Sequence, residues 1–216
     1  MYKRQVWDWQ KAVWRDNPKL LMELTLEYAD GTSETIVTDQ NWKSYSEGPL
    51  TANDIYIGDT YDARLEVPGW ELPDFDDSAW DDATLVSAPA GKLTFENMEP
   101  MRRIASFTPE ITNMGGGTYI LKNPVMATGW AKLSFDAPAG TEITITYGET
   151  LSGSGYLNKV NGWGYNLQVD TYTCKGEPGE TFEPRFSYKG YEYIQIDNYP
   201  GELTAEDVEC YLIRCV

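Results

Sequence analysis

The 216-residue sequence predicts an all-β chain of two antiparallel β-sandwich domains. Three observations carry that reading. Apolar and polar residues alternate over short runs, helical periodicity is scarce, and Pro, Gly, Asn and Asp clusters separate the runs at regular intervals.

The first run is Leu21 to Tyr28. Met22, Leu24, Leu26 and Tyr28 share one face and Glu23, Thr25 and Glu27 the other, so the segment reads as a strand with one buried face. Asp30-Gly31 follows as a hairpin turn. Alternation returns with Ala131, Leu133 and Phe135, then with Ile143, Ile145 and Tyr147. It continues through Tyr191 to Ile196 and ends with Val208, Cys210 and Leu212. Ala137-Pro138-Ala139-Gly140 and Gly176-Glu177-Pro178-Gly179 supply intervening turns. A boundary is expected between residues 96 and 112, where Pro100 and Pro109 bracket Met101-Arg102-Arg103-Ile104 and Gly115-Gly116-Gly117 opens the next segment. The domains are therefore placed at 1–105 and 106–216. Strand content leaves room for further jelly-roll strands upstream of Trp7. Met1 to Gln5 resemble a translated library adapter and are set aside from fold reasoning. The chain is expected to be a fragment of a longer protein, so its N-terminus says nothing about compartment.

Composition narrows the function. Lys plus Arg number 17 against 34 Asp plus Glu, a formal charge of −17 that repels nucleic acid and anionic membranes. Histidine is absent, which removes Ser-His-Asp and Cys-His nucleophile systems and His-ligated zinc or haem. No apolar run reaches the length of a transmembrane helix. Cys174, Cys210 and Cys215 are odd in number and follow no metal spacing; they read as buried or idle thiols, with a single bridge the alternative.

Three loops are candidates for function. In Asn53-Asp54-Ile55-Tyr56-Ile57-Gly58-Asp59-Thr60-Tyr61-Asp62, the side chains of Asn53, Asp54, Asp59 and Asp62 supply hard oxygens suited to Ca²⁺. The other reading of the same residues is Asx turns and strand ends with solvated carboxylates. Asp54 is expected in a loop with no apolar face, where it would matter to binding and hardly to folding. The second loop runs from Gly69-Trp70 to Phe75-Asp76-Asp77-Ser78-Ala79-Trp80. Aromatic rings beside carboxylates suit a sugar, which makes Trp70 and Trp80 candidate contacts along with Asn53 and Asp54. Phe75 and Trp80 also fit a role as core anchors, with the aspartates capping a short turn. The third loop, with Tyr156, Trp163 and Tyr165, is polar, Gly-rich and aromatic, and suits either a binding role or a seam with a neighbouring domain.

At these residues the chain resembles the non-catalytic β-sandwich region of bacterial α-L-rhamnosidases, glycoside hydrolase family 78. The first half is similar to their N-terminal jelly roll through Ile57-Gly58-Asp59-Thr60-Tyr61-Asp62-Ala63-Arg64 and the Trp70 to Trp80 run. The second half is similar to their concanavalin-like domain through Thr128-Gly129-Trp130, Tyr147-Gly148-Glu149 and Asp170-Thr171-Tyr172. Its longest matching piece is Phe182-Glu183-Pro184-Arg185-Phe186-Ser187-Tyr188-Lys189-Gly190-Tyr191. The chain departs from the family pattern at Leu121-Lys122-Asn123-Pro124-Val125, where an Asp-Phe-Gly-Gln-Asn-like stretch is usual. The resemblance implies a parent that hydrolyses terminal α-L-rhamnosyl residues with inversion, in an α/α-barrel domain whose acidic motif is not matched here. Further implied partners are L-rhamnose-containing glycosides, that barrel domain, and a calcium-dependent rhamnose site at Asn53 and Asp54. A purely architectural role is the remaining alternative.

Overall fold

The computed structural model describes residues 18–88, 90–92, 94–159 and 167–216. Met1 to Gln5, Trp7, Trp163 and Tyr165 lie outside them. The described chain is β-built as the alternation requires, with Ala63–Leu65 forming a single 3₁₀ turn. Among the described residues, no helix is long and apolar enough to cross a membrane.

Two compact units are present, and no single cut in the chain separates them: Pro49–Glu66 groups with Asn97–Val216, while residues on either side of that segment form the other unit. That other unit starts with strands β1 (Glu23–Glu27) and β2 (Ser33–Val37), paired antiparallel with Leu24 opposite Ile36. Gly31 at φ 83° closes the turn, and the Asp30 carboxylate accepts from both the Thr32 amide and its hydroxyl. Met22 and Leu26 are half-buried, but Leu24 and Tyr28 stay exposed. The expected buried face is thus only partly covered, in a ribbon of two strands. Strand β3 (Lys43–Ser44) follows; β4 (Leu50–Asp54) and β5 (Gly58–Asp62) cross to the larger unit, and β6 (Asp81–Asp82) returns to pair with β3. Trp80 stacks on Tyr45 with centroids 5.2 Å apart, and Phe75 leans on it at 5.4 Å.

The larger unit continues with β7 (Met101–Phe107), β8 (Glu110–Gly115), β9 (Thr118–Phe135) and β10 (Glu142–Gly148). It is completed by β11 (Val169–Thr173), β12 (Glu180–Phe182), β13 (Lys189–Asp197) and β14 (Val208–Cys215). The sheet path is β4-β5-β11-β10-β13-β9-β14-β7, with β8 and β12 also on β9. Every pairing is antiparallel except β5 with β11, where Thr60 faces Thr171 and Tyr61 faces Tyr172. The 18-residue β9 takes β8 and β13 along its first part, and β14 and β12 along its last, so the sheet curls around one core.

That core contains the predicted residues. Ala131, Leu133, Ile143, Ile145, Tyr147 and Cys210 are buried, as are Leu121, Tyr172 and Cys174. In β13 the inward positions change parity, from Tyr191 to Ile194 and Ile196, because a bulge interrupts the register with β9. On the β9 side the same bulge spans Asn123 to Met126, set against Glu192 alone, since Lys122 pairs with Tyr193 and Ala127 with Tyr191. The segment that departs from the family pattern therefore lies at this irregularity. The cysteines are free thiols. Burial pushes Cys174 up to about 11 and Cys210 up to about 12, so neither is a ready nucleophile.

A buried glutamate fixes the turn predicted at residues 176–179. Glu180 accepts from the Lys175, Gly176 and Glu177 amides at 2.9, 2.6 and 2.9 Å and from the Tyr172 hydroxyl at 2.8 Å. Burial pushes its carboxyl up, but these donors together outweigh that and hold it below the ordinary value of 4.5. A depressed folded value means stability that is present above pH 4.5 and lost as pH falls through the folded value. We expect Glu180→Gln to be less stable than the parent in urea at pH 7, with the gap narrowing below pH 4.5. A gap independent of pH would show that the charge of Glu180 is irrelevant to the turn.

Candidate functional site

The Asx-rich segment forms the β4–β5 hairpin. Asp54 and Asp62 make the Asx turns of the other reading, at strand ends, but the carboxylates of Asp54 and Asp59 are buried rather than solvated. Asp54 is only 7% exposed. Its Oδ1 accepts from the Tyr56 amide at 2.8 Å and the Ile57 amide at 3.1 Å, so it caps the turn; its Oδ2 is buried with no hydrogen-bond partner. The expectation that Asp54 hardly matters to folding is corrected on this geometry, because two turn amides lose their acceptor without it. Asp62 caps the 3₁₀ turn by accepting from the Arg64 amide, and it also takes the Arg64 guanidinium at 2.9 and 2.7 Å. That guanidinium holds the Asp62 carboxyl below its usual range.

Asn53 and Asp59 meet inside the unit. The Asn53 amide donates to Asp59 Oδ1 at 2.6 Å, and the Ser187 hydroxyl donates to the same oxygen at 3.0 Å. Asp59 Oδ2 accepts the backbone amides of Arg185 at 3.0 Å and Phe186 at 3.4 Å. The Asp59 amide in turn donates to Asp170 Oδ1 at 2.8 Å. Lys189 closes the ring: its ammonium lies 2.6 Å from both Asp170 oxygens and 2.7 Å from Ser187 Oγ, over the Tyr147 ring at 5.1 Å. Lys189 and Asp170 side chains are 1% and 0% exposed. Burial pushes Asp170 up and Lys189 down, and the opposite charge of each resists the shift of the other. Gly58 permits the approach. At φ 129° it lies so close to β11 that a Cβ would stand 2.2 Å from the Val169 carbonyl oxygen. Asp170, Ser187 and Lys189 were not marked as a set by the sequence; their signal was present only as two separate motifs.

Trp70 and Trp80 belong to the smaller unit. Trp80 is half-buried in its ring cluster with Tyr45 and Phe75, which fits the anchor reading, whereas Trp70 is 61% exposed beside the Gly69 turn. Phe75 and Trp80 bracket a turn in which Asp76 accepts the Ser78 amide. Tyr156 is partly exposed, and its companions Trp163 and Tyr165 lie outside the described residues. Among the described residues, no group of three or more His, Cys, Asp or Glu could hold a metal ion. Two clefts open on the larger unit. One, of about 710 Å³, has Tyr61, Arg103, Trp130 and Glu183 among its walls; the other, of about 520 Å³, has Tyr56, Glu149 and Tyr188.

Two family models match the sequence: the α-L-rhamnosidase N-terminal domain over residues 1–105, and the bacterial α-L-rhamnosidase concanavalin-like domain over residues 112–214. The chain belongs to the α-L-rhamnosidase family. It is homologous to the N-terminal and concanavalin-like portion of these proteins. An α-L-rhamnosidase of Streptomyces avermitilis is 34% identical over 195 residues, covering 89% of this chain and 19% of that protein. One from Formosa agariphila is 31% identical over 201 residues, covering 91% and 21%. Among solved structures, the α-L-rhamnosidase of Dictyoglumus thermophilum superposes with a TM-score of 0.82 at 39% identity, over 90% of this chain and 22% of that one. The Streptomyces avermitilis α-L-rhamnosidase complexed with L-rhamnose gives 0.83 at 31% identity, over 90% and 19%. The chain thus spans about a fifth of the length of the relatives it matches.

The strings that carry the α-L-rhamnosidase resemblance meet in the buried ring. Gly58-Asp59 comes from the first half, while Asp170 and the Ser187 to Lys189 pair come from two separate pieces of the second. Their shared task is holding strands together. We expect Lys189→Met to cost about 3–5 kcal/mol in urea unfolding, because it strands a buried carboxylate. Adding Asp170→Asn should recover much of that loss, since Oδ1 still accepts the Asp59 amide. A single-variant cost below about 0.5 kcal/mol would show that the pair is not holding the sheet.

Proposed function

We propose that this chain serves as the non-catalytic β-sandwich portion of an α-L-rhamnosidase, a protein that removes terminal α-L-rhamnosyl residues from glycosides, and that it works beside a catalytic domain of that protein. The observation that carries the reading is the tiling of the chain by two accessory-domain models, over residues 1–105 and 112–214. The chemistry of the described carboxylates supports it. Inverting glycoside hydrolysis needs an acid with a raised pKa and a base across an open site that admits water. Asp59 and Asp170 are sealed from solvent and bonded to each other through the Asp59 amide. In the larger cleft, Glu66 is paired with Lys175, Glu183 with Arg103, and Glu180 is held low by its donors. Purified chain incubated with an aryl α-L-rhamnoside should release no aglycone above a blank. Turnover that survives repurification would overturn the reading.

A second reading, calcium-dependent binding of a rhamnosyl diol, is favoured by one observation: Asp54 Oδ2 is a buried carboxylate oxygen without a donor. Calcium takes about six to eight oxygens, and the oxygens of Asp59 and Asp62 already accept protein donors. The set Asn53, Asp54, Asp59 and Asp62 therefore does not fit a complete cage, and this reading rests on Asp54 with Asn53 beside it. Trp70 and Trp80 belong to the smaller unit and take no part in this reading. Asp54→Asn keeps Oδ1 as the turn cap while removing the charge. It should leave metal-free unfolding within about 1 kcal/mol of the parent and erase any calcium-dependent heat on titrating L-rhamnose. If the parent gives no heat at millimolar sugar with or without a chelator, the binding reading falls and the scaffold reading stands.

A further inference from the structure

The cleft of about 710 Å³ on the larger unit has the size of a small-ligand site, and the readings above give it no ligand. One wall is Tyr61, whose hydroxyl donates to Glu66 at 2.9 Å; Glu66 then meets Lys175 at 2.9 Å, and Lys175 meets Glu177 at 3.0 Å. The other wall is Trp130, whose indole N–H donates to Glu183 at 2.6 Å. Glu183 also takes the guanidinium of Arg103, which lies over the Tyr211 ring at 4.3 Å and the Trp130 ring at 5.5 Å. The floor is the turn wired by Glu180. Each lining carboxylate is thus already paired with a fixed donor, with lone pairs to spare on Glu66 and Glu183, and its position is set before any ligand arrives.

Two lining cations are different. Lys132 and Arg185 have no ion pair among the described residues. The Arg185 backbone is nevertheless rigid, because its amide is tied to Asp59 Oδ2. In a chain of net charge −17, a cleft whose four lysines and arginines balance its four glutamates is locally neutral. Lys132 stands opposite Glu209 on β14 without forming an ion pair, and Arg185 is the less committed of the two cations. Half-buried aromatic rings of Tyr61 and Trp130 offer faces for sugar C–H groups, while the held glutamates offer acceptors for hydroxyls.

We propose that this cleft binds a carboxylate-bearing saccharide, with Lys132 and Arg185 taking the carboxylate and Glu66 and Glu183 accepting ring hydroxyls. The site is separate from the Asp54 reading and needs neither calcium nor L-rhamnose. Calorimetric titration of the 216-residue chain with trigalacturonate, in the presence of chelator, tests it. Saturable binding is expected, weakened about tenfold by Lys132→Ala or Arg185→Ala, the size of one charge-assisted hydrogen bond. Arg185→Ala should melt like the parent, and Lys132→Ala, which removes the cation opposite Glu209, should lower the melting temperature only slightly. The Trp130 indole N–H resonance should shift during titration of the unaltered chain. No saturable heat at millimolar saccharide, an unmoved indole resonance, or equal binding of the methyl-esterified trisaccharide would each overturn the proposal. Displacement by inorganic sulfate at equal concentration would show an adventitious ion only.

Discussion

One lysine ammonium without access to water organises the larger unit. Lys189 neutralises Asp170, Asp170 accepts the Asp59 amide, and the Asp59 carboxylate gathers Asn53, Ser187 and the amides of Arg185 and Phe186. Buried charge is tolerated only when paired and hydrogen-bonded, so none of these groups can shift independently of the others. The arrangement fixes β5 beside β11 in the sheet's parallel pairing, which no short turn could have set by itself. Gly58 is the steric counterpart, since the strand reaches Val169 only where a Cβ is missing.

The ring gives the surface above it a rigid base. Asp54 fixes the turn that presents Ile55, Tyr56 and Ile57, and Asp59 fixes the segment that presents Phe186; all four side chains are exposed. Asp59, Asp170 and Glu180 thus serve positioning, while Asp54 Oδ2 is left without a donor.

Much of the larger unit was legible from alternation. β9, β10, β13 and β14 contain the predicted inward residues, because a strand with one buried face must alternate and these four lie in the sandwich core. The parity change in β13 was not legible, since a bulge is a property of two paired strands and only one is visible in a local window. The hairpin at Leu21 to Val37 was placed correctly by its Asp30-Gly31 turn. Its buried face was not, because coverage depends on what packs against a ribbon and alternation records only the preference.

The sequence by itself determined the fold class, the absence of imidazole chemistry and the family, since composition, short-range periodicity and linear motifs are properties of the string. The candidate site was legible only as a collection of parts. Asn53, Asp54, Asp59 and Asp62 lie within ten positions and suited either one set of ligands or Asx turns at strand ends. The fold gave Asp54 and Asp62 to turns and sent Asp59 to partners more than a hundred residues away. Only tertiary structure decided this. Whether a carboxylate binds a ligand or holds the chain depends on which donors reach its oxygens first, and distant strands bring those donors.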